Sequence, residues 1–169
     1  MNREERREFV RQHRTAIFGY GRRADGPSMT IVYYLTDGDD LLVSTMAERG
    51  KAKAVQRGGR VSLCILDEKW PPSYLLVYCD AVVETDFEQT VDVMMGIAGV
   101  MAGEPMPAEV RPLVAEGALR EQRVVLRLRP YATFESPPKH VHSADDISEK
   151  LAHGLGASLS WLDPADATS

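Results

Sequence analysis

Hydrophobic and polar residues alternate over much of this chain, which is the pattern of strands with one buried face. Six segments rich in apolar and β-branched residues are bounded by turn residues, and they predict strands at 15–20, 28–36, 41–45, 60–66, 74–84 and 123–129. Residues 131–135 extend the sixth strand. The pair Asp37-Gly38 between the second and third strands is a strong hairpin signal. The segment 60–66 is apolar enough to be buried on both faces.

Two helices are predicted in the first third of the chain. Residues 2–13 form a short, highly charged helix, for which Asn2 is the N-cap. Residues 46–57 turn helical directly after the third strand, and this helix ends at Gly58-Gly59.

A helical insert separates the last two strands. Apolar residues recur at helical spacing from Phe87 to Met101, and Gly103 closes this helix. A proline-rich loop with a short helix occupies 105–119. Beyond the last strand, Ser143 caps a further helix with an apolar stripe.

This order of elements predicts a mainly β domain with peripheral helices. Repeated β-α-β units are absent from the pattern, so a Rossmann sheet is not expected and an antiparallel barrel fits better. The 169 residues form a single domain by size. Its predicted parts are an N-terminal helix (1–14), barrel strands (15–86 and 123–135), a helical insert (87–120) and a C-terminal helical extension (143–163).

The composition argues against nucleic acids and membranes as partners. The chain has 20 Lys and Arg against 25 Asp and Glu, so its net charge of −5 makes it a poor generic nucleic-acid binder. No apolar run approaches the length of a membrane span, and the charged start does not resemble a signal peptide. Two isolated cysteines, Cys64 and Cys79, fit a reduced compartment. We therefore expect a cytoplasmic protein.

The clearest candidate chemistry follows the third strand. Ser44 and Thr45 end that strand, and Arg49 and Lys51 come shortly after it. Hydroxyls, backbone N–H groups and cations together bind phosphate groups well. A solvated helix face explains Lys53 and the later cations equally well. The glycine-rich nucleotide loops are absent, so the pattern predicts a phosphate-bearing ligand without identifying it.

Other potential sites have simpler explanations. His140 and His142 form a pair without further ligands at zinc-binding spacing, so no metal site is predicted. Cys64 and Cys79 lie in apolar strands, where a thiol is normally inert packing.

The order and spacing of several motifs resemble the flavin/deazaflavin oxidoreductases of the pyridoxamine 5′-phosphate oxidase-like split-barrel superfamily. The resemblance covers residues 10–135. Its motifs are Asp25-Gly26-Pro27, Val32-Tyr33-Tyr34, the hairpin that ends in Ser44-Thr45, Arg49-x-Lys51 and Arg60-Val-Ser-Leu. The helical insert followed by Arg123-Val-Val-Leu-Arg-Leu resembles the actinobacterial branch that uses coenzyme F420.

The resemblance implies a six-stranded antiparallel split β-barrel that works as a homodimer, with two cofactor sites at the subunit interface. By position, Arg49 and Lys51 match residues that grip the cofactor phosphate, and Ser44 and Thr45 match their neighbours at the strand end. The other implied cofactor-binding residues are Thr30 and Val32 under the ring, and Tyr74, which in some members contacts the cofactor from the partner subunit.

The implied activity is that of an F420-dependent reductase, which passes hydride to an unsaturated or quinone-like small molecule. Two alternatives remain open: an FMN-dependent oxidase or reductase, and a non-catalytic protein that carries a flavin, a deazaflavin or haem. The sequence identifies no catalytic residue, and a proton could come from solvent or from Tyr33, Tyr34 or Tyr74.

Overall fold

The computed structural model describes residues 1–67, 69, 73–136 and 158–162, and it shows one antiparallel sheet flanked by helices. The strands are β1 (Thr15–Tyr20), β2 (Ser28–Tyr33), β3 (Leu35–Asp37), β4 (Asp40–Met46), β5 (Arg60–Asp67), β6 (Ser73–Glu84), β7 (Arg123–Ser136) and β8 (Leu159–Ser160). The helices are α1 (Arg3–Gln12), α2 (Gly50–Gly58), α3 (Phe87–Ala102) and α4 (Arg111–Arg120), with a 3₁₀ turn at Ala108–Val110.

The strand order requires the sheet to curl. Neighbouring strands run β2-β1-β5-β6-β7-β4-β3, and β8 adds to β7. The two ends of this path, β2 and β3, are consecutive in the chain with only Tyr34 between them. The sheet therefore bends back toward itself, which is consistent with a split barrel.

The core lies on the concave face of the sheet. Phe18, Leu63, Leu126 and other inward side chains of the central strands are fully buried. Truncating any of them would remove roughly 2–5 kcal/mol of stability. Among the described residues, no helix is both long and apolar enough to cross a membrane.

Local signals place the ends of α1 and α3 correctly. Asn2 Oδ1 accepts a hydrogen bond from the backbone N–H of Glu5 at 2.9 Å, and the Glu5 carboxylate accepts one from Asn2 N at 2.7 Å. This is a complete capping box. Gly103 ends α3 in the left-handed conformation, with φ of 82°.

The described sheet has eight strands where the resemblance implies six. The predicted strand 28–36 divides at Tyr34, whose buried hydroxyl donates to Val10 O at 2.7 Å. The short β8 supplies the other additional strand.

Two further expectations need correction. The helix predicted from residue 46 begins at Gly50, because Met46–Arg49 form a turn in which Arg49 N donates to Met46 O. Strand β5 was expected to be buried on both faces, but its outward side chains are only partly covered, and Leu66 is 43% exposed. Among the described residues, no helix packs extensively against that face of the strand.

The predicted helix 143–163 falls largely outside the described residues. At its far end, Leu159–Ser160 form a strand instead. Trp161 is buried in the core, and its backbone N–H donates to Tyr131 O. Burial of this large ring fixes the segment against β7.

Gly59 fixes the end of α2, so its replacement will be destabilising. Its φ is 66°, and a Cβ there would lie 3.3 Å from Ala81 O. We expect Gly59→Ala to lower the free energy of unfolding by about 1–2 kcal/mol. The adjacent Gly58→Ala, which meets nothing within 4 Å, should be neutral or slightly stabilising. Urea denaturation of both variants measures the difference, and equal losses would contradict this explanation.

Candidate functional site

Two pockets that share lining residues lie beside the end of β4. The first, called here the cationic pocket, has a volume of about 380 Å³, and its polar lining includes Thr30, Ser44, Thr45, Arg49, Lys51 and Arg123. The second, called the apolar pocket, has a volume of about 350 Å³ and includes Ile31, Val32, Met94, Ile97, Ala98 and Met101. Ser44, Lys51 and Arg123 line both. The combined cavity is therefore charged at one end and apolar at the other.

The start of α2 forms one wall of the cationic pocket. Arg49, Gly50 and Lys51 all line it, so the first turn of the helix faces the cavity. The first backbone N–H groups of a helix have no partner within the helix and carry its positive end. A phosphate group in this pocket would meet these N–H groups as well as the side-chain cations.

Lys51 is held in an environment that disfavours its own charge. Its ammonium group donates to Thr30 Oγ1 at 3.1 Å. Burial lowers its pKa most, and the neighbouring positive charges of Arg49 and Arg123 lower the pKa further. An anion placed among these three cations would relieve their repulsion.

The lowered pKa of Lys51 predicts how phosphate affinity will depend on pH. A bound phosphate favours the ammonium form, so Lys51 will take up a proton on binding once the pH approaches its lowered pKa. Affinity should therefore fall as the pH rises toward this lowered pKa, which lies below the ordinary lysine pKa. Lys51→Arg keeps the charge and should remove most of this fall. Titrations with sulfate, a phosphate analogue whose charge is constant above neutral pH, test it, and identical profiles for both proteins would contradict it.

Ser44 contributes a hydroxyl that has no partner within the described part of the chain. Its Oγ is buried and makes no hydrogen bond there. A buried hydroxyl without a partner is destabilising by about 1–3 kcal/mol. Because Ser44 lines both pockets, a ligand oxygen near their junction could accept this hydrogen bond.

Arg123 and Glu121 are site residues that the sequence reasoning missed. Arg123 begins β7 and lies directly opposite Met46 in the register with β4, which brings it beside Ser44. Glu121 lines the cationic pocket and pairs with Arg123, with its Oε2 2.6 Å from one guanidinium nitrogen. No local motif signals this arrangement, since it depends on the pairing of two strands far apart in sequence.

Strand β2 and helix α3 enclose the apolar pocket. Val93 on α3 packs against Leu42 and Val125, which fixes the helix over β4 and β7. The methionines Met94 and Met101 then face the pocket. Thioether side chains are flexible and polarisable, so they adapt well to a flat apolar ligand.

The structure brings together six of the seven predicted cofactor-binding residues. Five of them line the cationic pocket: Thr30, Ser44, Thr45, Arg49 and Lys51. Val32 lies in the apolar pocket. Tyr74 lines neither pocket, because it starts β6 opposite Leu66 and Ser136, at the far end of β7 from Arg123.

The three tyrosines considered as proton donors differ in their positions relative to the two pockets. Tyr33 lines the apolar pocket. Tyr34 is buried, its hydroxyl is engaged with Val10 O, and burial raises its pKa well above the ordinary range. Tyr34 therefore has a structural role, and Tyr74 is distant from both pockets within one chain.

The two thiols fit the sequence interpretation of inert packing. Cys79 is fully buried, and burial raises its pKa strongly. Burial also raises the pKa of Cys64. Neither residue lines the two pockets, so neither is positioned as a nucleophile there.

The structure is thus a curled antiparallel sheet with one cationic and one apolar pocket beside the end of β4. Residues 3–135 match the profile of the family described as pyridoxamine 5′-phosphate oxidase, and the chain belongs to that family. The family includes oxidoreductases and flavin-binding proteins of the split-barrel superfamily. No curated protein matches the chain.

Solved structures share this fold at low sequence identity. The conserved hypothetical protein Rv2991 from Mycobacterium tuberculosis is 21% identical, with a TM-score of 0.70 over 86% of this chain and 94% of that one. An F420 reductase is 18% identical, with a TM-score of 0.59 over 78% and 95%. HutZ, the haem storage protein from Vibrio cholerae, is 16% identical, with a TM-score of 0.56 over 78% and 92%. The fold thus accommodates different ligands, and the choice among them depends on the site.

Proposed function

We propose that this protein is an F420-dependent oxidoreductase that reduces an unsaturated or quinone-like small molecule. The observation that carries the proposal is the pair of adjoining pockets, with three cations around one and with β2 and α3 around the other. Its dimensions and polarity suit a ligand that joins a phosphate to a flat ring.

The residues present fit such a cofactor in three respects. Arg49, Lys51 and Arg123 supply positive charge for a phosphate. The Ser44 hydroxyl, which has no hydrogen-bond partner in the described part of the chain, would gain an acceptor. Val32 and the methionines of α3 offer an apolar surface for the ring.

When bound, the reduced deazaflavin would supply the hydride. The protein anchors the phosphate, orients the ring against β2 and limits the access of water. Tyr33 is a candidate proton donor, since it lines the apolar pocket.

Positive charge beyond the pocket favours F420 over FMN, because F420 carries a longer anionic tail. Arg57 on α2 reaches Gly21 O at 3.5 Å. Gly21 directly follows the pocket residue Tyr20 and precedes Arg22 and Arg23, of which Arg22 pairs with Asp25 at 2.9 Å. Lys53, by contrast, pairs with Glu48 at 2.6 Å and is less available.

Separate titrations with F420 and FMN test the proposal. We expect micromolar or tighter binding of F420, weaker binding of FMN, and hydride transfer from reduced F420 to a quinone. Tighter binding of FMN, retained as a yellow protein through purification, would favour the FMN-dependent alternative that the family also supports. Binding without hydride transfer to any acceptor would indicate a carrier protein. A protein that binds neither F420 nor FMN would reject the proposal.

A carrier of haem has less support from the cavity. Haem iron usually needs an axial side chain such as histidine. No histidine lines either pocket among the described residues, and His140 and His142 lie outside those residues.

The site is proposed to work in a homodimer. Strand pairing aligns outward apolar side chains in one row across five strands, called here the outer row: Ile31, Ile17, Cys64, Leu76 and Phe134. Ile31 is 76% exposed and also lines the apolar pocket. An apolar row of this kind that reaches the cofactor cavity suits contact with a second copy of the chain. The partner could then supply Tyr74.

A further inference from the structure

Glu121 is an acidic residue in a pocket that otherwise collects positive charge. Its Oε2 accepts from Arg123 Nε at 2.7 Å and lies 2.6 Å from a second guanidinium nitrogen of the same residue. Both side chains are about one-third exposed, at 30% and 29%. Ion pairs with this much exposure contribute little to stability, so stability alone gives a weak reason for the pair.

The backbone between the two residues is strained. Gln122 has φ of 49°, and it is the one non-glycine residue with positive φ in the described part of the chain. Its carbonyl accepts from Ala47 N at 2.9 Å and its N–H donates to Leu119 O at 3.1 Å. Strained backbone of this type is typical of functional sites. The hydrogen bond from Ala47 N to Gln122 O links the turn that carries Glu121 and Arg123 to the turn that precedes Arg49.

Glu121 offsets the charge of Arg123 and leaves the rest of the pocket positive. Arg123 still lowers the pKa of Lys51, and Glu121 is not among the groups that shift it. Three cations therefore face one carboxylate in the pocket. An incoming phosphate must share Arg123 with Glu121 and meets the negative charge of that carboxylate.

We propose that Glu121 makes the cationic pocket discriminate against phosphomonoesters in favour of phosphodiesters. A monoester carries close to two negative charges at neutral pH, whereas a diester carries one. Repulsion from the Glu121 carboxylate is proportional to that charge, so it acts more strongly on the monoester. The inference rests on the proposed cofactor site and gives it a basis for selectivity, since the phosphate of F420 is a diester and that of FMN is a monoester.

Glu121→Gln tests the inference through the affinities of FMN and F420. At pH 7.5 the variant should bind FMN about tenfold more tightly and F420 at most about threefold more tightly, because the removed repulsion scales with the charge of the phosphate group in the pocket. Riboflavin, which has no phosphate, should bind both proteins equally. At pH 5.5 the monoester carries close to one charge, so the gain for FMN should shrink to that for F420.

Two further variants control for charge and for folding. Glu116→Gln removes the same charge from the exposed face of α4, outside both pockets, and should change neither affinity. Glu121→Asp keeps the carboxylate and should preserve discrimination if Glu121→Gln is poorly folded. Equal changes for FMN and F420, or weaker binding of both, would overturn the role of Glu121. Failure of the wild-type protein to bind either cofactor would instead overturn the proposed function, and this inference with it.

Discussion

Replacing both Arg49 and Lys51 with alanine is expected to abolish useful cofactor binding while leaving the fold intact. Both residues line the cationic pocket at the start of α2. Loss of two charge-assisted contacts to phosphate should weaken binding by about 2–5 kcal/mol, or roughly 30-fold to several thousandfold. Lys51 is also in an unfavourable position without a ligand, because burial and nearby cations lower its pKa. Its removal should therefore leave the stability of the free protein nearly unchanged or slightly higher.

A matched double variant on the same helix separates pocket contacts from net charge. Lys53→Ala with Arg57→Ala removes the same two charges, but neither residue lines the pockets. This control should bind FMN normally, because FMN has no anionic tail beyond its phosphate. Weaker binding of F420 alone to the control would locate the tail along Arg57. Unchanged FMN and F420 affinities in Arg49→Ala with Lys51→Ala would show that the phosphate is held elsewhere.

The part of the site that the sequence predicts is the part built from contiguous residues. Ser44, Thr45, Arg49 and Lys51 lie on one strand end and the helix that follows it, so chain connectivity alone keeps them together. The roles of Asn2 and Gly103 at helix ends could also be predicted, because helix caps depend on a few neighbouring residues.

The missed residues depend on long-range pairing. Arg123 reaches the pocket because β7 pairs with β4 in a register that places it opposite Met46, and sequence patterns do not reveal that register. The choice among Tyr33, Tyr34 and Tyr74 as proton donors stayed open for a related reason. The Tyr34 hydroxyl could be read as a proton donor until the fold showed it buried against α1 and bonded to Val10 O.

The outward face of β5, which contributes Cys64 to the outer row, is less buried than the sequence predicts. The prediction that β5 is buried on both faces fails for one chain, since Cys64 is only partly buried and Leu66 is exposed. Burial of these residues by a second copy of the chain would explain why the outward face of β5 is apolar. The apolar sequence of β5 would then match the burial of both its faces in the proposed dimer.

Leu76→Arg is therefore expected to convert a dimer into a monomer and to remove cofactor binding with it. Leu76 lies near the middle of the outer row, between Cys64 and Phe134 in the strand register. Two copies facing each other would bury a new, unpaired guanidinium on each side, which disfavours association by several kcal/mol. Sedimentation of the variant should give the mass of one chain, and sedimentation of the wild-type protein should give the mass of two.

A control outside the row shows whether the effect is specific to that surface. Leu113 on α4 is 66% exposed and is not part of the outer row, so Leu113→Arg should leave both the dimer and cofactor affinity unchanged. A monomeric wild-type protein would refute the dimer directly. A monomeric Leu76→Arg variant that binds F420 with full affinity would show that one chain holds the whole site, and Tyr74 would then have no role in it. Loss of both properties together would place the partner subunit at the cofactor, because the cationic pocket lies outside the outer row and the substitution leaves its residues in place.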